Sequence, residues 1–287
     1  MPHYCANVAS IDRRAAPVRH STPEFARIAK QGTVLRCQVG STVHGLGIDG
    51  RTDRDEMGIC VEPPEYVIGL RAFEQYVHHS RPEHTRSGPG DLDLTVYSLR
   101  KWTRLALDGN PTVLLPLFVP DHEIVTATAI GHDLRGQRSR LISRRAGHRF
   151  LGYLRAQRER MEGVRGGGHT NRPELVERYG FDTKFAYHMV RLGVQGIELM
   201  ETGAITLPMP EPDRSWLLAL RRGGHTREEA LRRARDLEER LVRLCATSDL
   251  PEEPDTAWAD RFLVDTYRRA WSDGVTATPR GGRDRAG

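Results

Sequence analysis

The sequence predicts an α+β protein, with a mixed-sheet domain over residues 23–130 followed by a helical domain over residues 131–271. Two observations predict it. Up to about residue 130 the apolar residues fall in short runs broken by Gly and Pro, the pattern of strands and turns. Beyond that point they recur with the helical period. Composition agrees, since 287 residues with 38% hydrophobic and 28% charged side chains can bury a core without staples. The longest apolar stretch, 113–119, is interrupted by Pro116 and falls far short of the ~20 residues of a membrane span. No membrane partner is expected.

Residues 1–22, rich in Pro, Ser and Arg, read as a flexible arm. They lack the apolar core of an export signal. The four cysteines are scattered with no C-x-x-C pair, which suits a reducing, cytoplasmic setting. Thr22 caps a short helix with Pro23 and Glu24 in its first turn. Strands are predicted over 34–39 and 56–61, joined by a glycine-rich loop over 40–55. A further strand is expected over 71–77, then a polar loop over 78–89. From Asp91 to Tyr97 the acids, Thr95 and Tyr97 alternate with Leu92, Leu94 and Val96, as in a half-buried strand. Ser98 then caps a helix that stops at Gly109-Asn110-Pro111.

In the second half, helices are predicted over 144–161, 173–179 and 182–200, with Gly166-Gly167-Gly168 as a joint before the second. Thr226 and Glu229 form a capping box for a helix to Cys245, whose Ala230, Ala234, Leu237, Leu241 and Leu244 share one face. A last helix spans 255–271, and 272–287 reads as a disordered tail. No internal repeat is evident.

The chemistry concentrates in Gly40-Ser41 and Asp53-x-Asp55. Two residues apart on a strand, Asp53 and Asp55 point to one face. At ~7 Å and an effective dielectric near 20 their repulsion is roughly 2 kcal/mol, which a divalent cation would reverse. A third acid on a neighbouring strand, Asp93, would complete a two-metal clamp for phosphoryl chemistry. Gly40 after a strand lets the backbone approach a polyphosphate, and the Ser41 hydroxyl adds a donor.

These residues resemble the DNA polymerase beta nucleotidyltransferase superfamily. The longer run is closer still: G-S-x-x-x-G from Gly40, T-D-x-D-x-x-G from Thr52, D-L-T-V-Y-S-L-R-K from Asp93, G-N-P, and R-P-E-L before Y-G-F-D-T-K-x-x-x-H-x-x-R-L. It is similar to the RlaP-like group of nucleotidyltransferases, some found beside RNA repair genes and many encoded by phages. The similarity runs over about 34–212. It implies a polymerase beta-like catalytic domain over 23–130 and a nucleotide-binding helical domain over 131–271. It also implies transfer of a nucleoside monophosphate from a nucleoside triphosphate to a hydroxyl, with release of pyrophosphate. Two Mg2+ ions, or Mn2+ in their place, would be held by Asp53, Asp55 and Asp93. Glu56 departs from the pattern, which has an apolar residue there.

The helical half can supply cations for a triphosphate. Lys184, His188 and Arg191 are spaced i, i+4, i+7 and share one helix face. Lys184 is one of only three lysines among 43 basic residues. Arg172 and Lys101 are further candidates for nucleotide binding, with Gly40 and Ser41. The arginine bias suits an RNA end as acceptor, or composition alone. Two other classes stand beside the enzyme: a non-catalytic nucleotide sensor, and an arginine-rich nucleic-acid binder. His78, His79 and His84 read as an exposed polar loop, not a zinc site. The acceptor, the base and the oligomeric state are not legible.

Overall fold

A computed structural model describes residues 20–48, 54–81, 90–164 and 172–272. Asp53, the Gly166–Gly168 joint, His84, and most of the arm and tail lie outside them.

The chain opens with α1 (Pro23–Gly32), whose N-cap Thr22 accepts from the Phe25 amide at 3.2 Å. It continues through β1 (Thr33–Gln38), α2 (Gly40–Val43), β2 (Arg54–Cys60), α3 (Pro64–Val67), β3 (Gln75–His79) and β4 (Leu92–Ser98). Then come α4 (Leu99–Leu107), β5 (Ile124–Ala127), α5 (Ala129–Gly136), α6 (Arg144–Met161) and α7 (Pro173–Tyr179). The chain closes with α8 (Thr183–Thr202), α9 (Asp213–Arg221), α10 (Arg227–Thr247) and α11 (Thr256–Ser272). The five strands of the described residues form one mixed sheet in the order β3-β4-β2-β1-β5, with β2 and β4 parallel and the other pairs antiparallel. The expected α+β class is what is found.

Each face of the sheet has its own core. Leu35, Cys37, Met57 and Ile59 are buried on the side of α4 and the helical half, in a cluster that continues to Ala270. Cys60, Leu94 and Val96 pack on the other side with Phe25 and Ile28 of α1 and with Phe73. The period-2 rule therefore puts Asp55, with Met57 and Ile59, on the face toward the helices. α8 runs through the helical half, with Gly196 so close to Phe150 and Leu241 that a Cβ there would lie 2.9 Å from each.

Several elements differ from expectation. The glycine loop begins as a helical turn, α2, because Gly40 takes φ +77° and turns the chain off β1. β3 starts at Gln75, four residues after the predicted onset, because Phe73 leaves the strand path to stack edge-on against Phe25 at 5.0 Å. His78 and His79 consequently lie in a strand. β5, an edge strand of four residues, and α9, of nine, are too short to show a period and are absent from the sequence reading.

Candidate active site

Asp55 and Asp93 are register partners on the parallel pair β2/β4, so their side chains leave the same face of adjacent strands, ~4.8 Å apart along the hydrogen-bonding direction. Gly40 makes room for the first of them. A Cβ on Gly40 would stand 2.1 Å from Asp55 Oδ2, and its φ of +77° is itself one that L side chains rarely adopt. The Val39 amide also donates to the Asp55 carbonyl at 2.8 Å. Gly40 and Ser41 thus flank the first described acid. Asp93 Oδ1 meets His79 Nδ1 at 2.6 Å and accepts from Arg81 Nη1 at 2.6 Å. Arg81 carries no signal in the sequence, and His79, expected in an exposed polar loop, lies in β3 beside Asp93.

Glu56, the departure from the family pattern, has a structural explanation. Its carboxylate is fully buried on the opposite face, paired with Arg36 and with Arg54 Nη2, the latter at 2.7 Å. The sheet therefore carries the two candidate acids on one face and a compensated acid on the other.

The glycine turn is docked on the helical half through His44, which is only 2% exposed. Arg191 Nη1 donates to His44 Nε2 at 2.8 Å, and Gln195 contacts both, accepting from Arg191 at 2.9 Å and lying 3.2 Å from His44 Nδ1. Burial first, then the charges of Arg191 and His188, hold the His44 pKa well below the ordinary imidazole range, so the ring is neutral. Arg221 donates to the Leu46 carbonyl and lies over the Tyr187 ring at 5.0 Å. The Met209 amide donates to the His44 carbonyl at 3.1 Å.

The expected face of α8 is built as the spacing predicts. His188 is surrounded by Arg191, Lys184, Arg172 and Arg221, whose charges add to burial in pushing its pKa well down. Arg172 is brought to this cluster by Asp182, which accepts from its Nε at 3.0 Å and also caps α8 through the Lys184 and Phe185 amides. The guanidinium covers the Phe185 ring at 4.6 Å. Sequence reasoning missed His44, Gln195 and Arg221, which no spacing rule joins to the rest.

Lys101 is not brought to this cluster. Its Nζ bonds Gln75 at 3.1 Å and Glu74 at 3.3 Å, and Gln75 pairs with Tyr97, four residues along β4 from Asp93. Helix α4 begins at Leu99, directly after β4 ends at Ser98, the end of that strand away from Asp93.

The donor set fits a hard divalent cation: two carboxylates on one face, with a glycine in place of a side chain that would crowd them. Among the described residues no group of three or more His, Cys, Asp or Glu side chains could hold a metal. The third expected ligand, Asp53, lies outside those residues.

Comparison with known proteins decides the family. The RNA repair pathway DNA polymerase beta family, RlaP, matches residues 18–265. The chain belongs to it. That match covers every acid and cation described above and stops short of the end of α11. A nucleotidyltransferase-like protein of solved structure from Exiguobacterium sibiricum 255-15 is 14% identical, with a TM-score of 0.29, over 85% of this chain and 77% of its own. No curated protein matches. No helix among the described residues of this family member is long and apolar enough to cross a membrane.

Proposed function

We propose that the protein transfers a nucleoside monophosphate from a nucleoside triphosphate to a hydroxyl, with an RNA end as acceptor. The observation that carries this reading is the pairing of Asp55 with Asp93 on the sheet face toward the helices. The glycine turn beside Asp55 is tied through His44 to the cation-bearing helix α8. In this reading the acids and the cations face one nucleotide from the two sides of that link.

In this reading Asp53, Asp55 and Asp93 would hold two magnesium ions, or manganese in their place, which would supply charge stabilisation for phosphoryl transfer. Lys184, Arg191, Arg172 and Arg221 bind the triphosphate oxygens, with His188 neutral among them. Gly40 and Ser41 present backbone and hydroxyl donors beside Asp55. The acceptor oxygen bonds to the α-phosphorus, the bond from that phosphorus to the α,β-bridging oxygen breaks, and pyrophosphate leaves with the electron pair. The hydroxyl proton passes to the Asp93 carboxylate and on to water. Nothing in this scheme requires a covalent enzyme intermediate, so catalysis is positioning and charge stabilisation.

The test is incubation with α-phosphate-labelled nucleoside triphosphates, magnesium and a mixed RNA pool. Label should enter RNA with the wild type and not with Asp55→Asn or Asp93→Asn. Equal labelling by the variants would overturn the reading, and tight nucleotide binding without transfer to any acceptor would make the protein a sensor.

A further inference from the structure

The reactive face of the sheet is not covered evenly. On β1 and β2 the helices bury it, with Leu35, Cys37, Met57 and Ile59 all at 4% exposure or less. On β4 and β3 the same face stays half-buried: Thr95 and Tyr97, with their register partners Val77 and Gln75. This strip starts at Asp93 and runs to Tyr97, ~13 Å along the strand.

Each end carries a cation beside an acid, and the far half carries the Tyr97 ring, one part of which packs on the core. At the acid end stand His79 and Arg81. At the other end Lys101 Nζ lies 5.8 Å from the centre of the Tyr97 ring, and Glu74 beside it is bonded by Lys101 and by Arg104. Tyr153 of α6 is 38% exposed, and its hydroxyl accepts from Asn110 at 3.1 Å. Its proximity, after burial, raises the pKa of Tyr97. A half-open track with phenol rings and a cationic rim is the construction that holds unpaired nucleotides: rings stack on any base, while cations follow the backbone.

Resting on the transfer reading above, we propose that the strip Asp93–Thr95–Tyr97, rimmed by Lys101 and Tyr153, seats the terminal nucleotides of a single-stranded RNA. The terminal hydroxyl of that strand is delivered at Asp93. The strip disfavours a duplex, because paired bases stay stacked on one another and only the outer face of the terminal pair is open, so successive bases cannot splay onto Tyr97 and Tyr153. A protein hydroxyl as acceptor would have no use for two stacking rings, and a small molecule would not span the strip. Lys101 thereby acquires a role in holding the acceptor and none in holding the triphosphate.

The experiment measures the affinity of the full chain for a fluorescent unpaired RNA oligomer, and for the same strand annealed to its complement, at fixed salt. Alongside, it measures magnesium-dependent binding of a non-hydrolysable nucleoside triphosphate. Tyr153→Ala and Lys101→Gln should each weaken the unpaired RNA on the order of tenfold. Tyr97→Phe should keep RNA affinity and Tyr97→Leu should lose it, each melting near the wild type. Nucleotide affinity should stay unchanged throughout. Wild-type RNA affinity in Tyr153→Ala and Lys101→Gln would overturn the proposal, as would equal affinity for the duplex. RNA binding that responds to these variants, with no transfer to any acceptor, would instead overturn the transfer reading and leave the strip's occupant as stated.

Discussion

Two junctions fix helices to the sheet, and they solve the burial of polar groups in opposite ways. At the end beyond β2, Glu62 is 2% exposed and accepts from the Leu99 amide at 3.3 Å, with the Tyr267 and Ser98 hydroxyls as further donors. Trp271 Nε1 donates to the Glu62 carbonyl at 3.0 Å, and the Arg100 amide donates to the Tyr267 hydroxyl at 3.1 Å. Among the described residues no cation enters this latch to α11, and burial pushes the Glu62 pKa up to about 7. At the glycine turn the buried group is a neutral imidazole held against Arg191, in a neighbourhood that also carries Lys184, Arg172 and Arg221. Gathering positive charge around buried rings costs stability, and it is recovered when an anion arrives. Under the proposed function the latch serves the fold and the turn serves a phosphate ligand.

The largest effect that could break this comparison is on activity. Arg191→Ala should lower kcat/KM for transfer on the order of 10²–10³-fold, the size expected when one charged donor is lost from a phosphoryl site. Tyr267→Phe should leave kcat/KM alone. If both variants cost the same activity, the two junctions do not differ in role.

Stability against pH comes next. Glu62 binds its proton more tightly folded, at about 7, than in the unfolded chain at 4.5. Its contribution is therefore full below pH ~4.5, and about 3 kcal/mol is lost as pH rises to ~7, at ~1.36 kcal/mol per unit. His44 and His188 run the other way. Their folded pKa values lie below 6.5, so their contribution is present above that pH and lost as pH falls through it. Chemical denaturation across pH 4–8 should show Glu62→Gln abolishing the descending part while the histidine-driven rise with pH remains. An unchanged profile in Glu62→Gln would contradict the latch's titration.

Gly40→Ala sharpens the comparison within the turn. Its Cβ would collide with the Asp55 carboxylate at a positive φ, so a loss of roughly 1–3 kcal/mol is expected by thermal melting, together with lower transfer. The smallest expected change is the Tyr267→Phe stability loss, about 1 kcal/mol for one hydrogen-bonding hydroxyl.

The shared face of Asp55 and Asp93 and the row of α8 cations follow from a local period. Alternation from Asp91 to Tyr97 places Asp93, and the i, i+4, i+7 spacing places Lys184, His188 and Arg191. His44 was passed over because its partners, Arg191 and Gln195, lie 147 and 151 residues away. Nothing local marks such a contact. Arg221 sits on a helix too short to be seen, and Lys101 was misdirected because proximity in sequence to Asp93 says nothing about which end of β4 the following helix faces. Glu56 read as a blemish on a motif until the opposite face of the sheet supplied Arg36 and Arg54.

The central claim is that the sheet acids and the α8 cations grip one nucleotide. Calorimetric titration of a non-hydrolysable nucleoside triphosphate with and without magnesium tests it, using the wild type, Asp55→Asn and Lys184→Ala. The account predicts magnesium-dependent binding in the wild type, loss of the magnesium dependence in Asp55→Asn, and at least about tenfold weaker binding in Lys184→Ala. Nucleotide binding that ignores Lys184, or that keeps its full response to magnesium in Asp55→Asn, would contradict it.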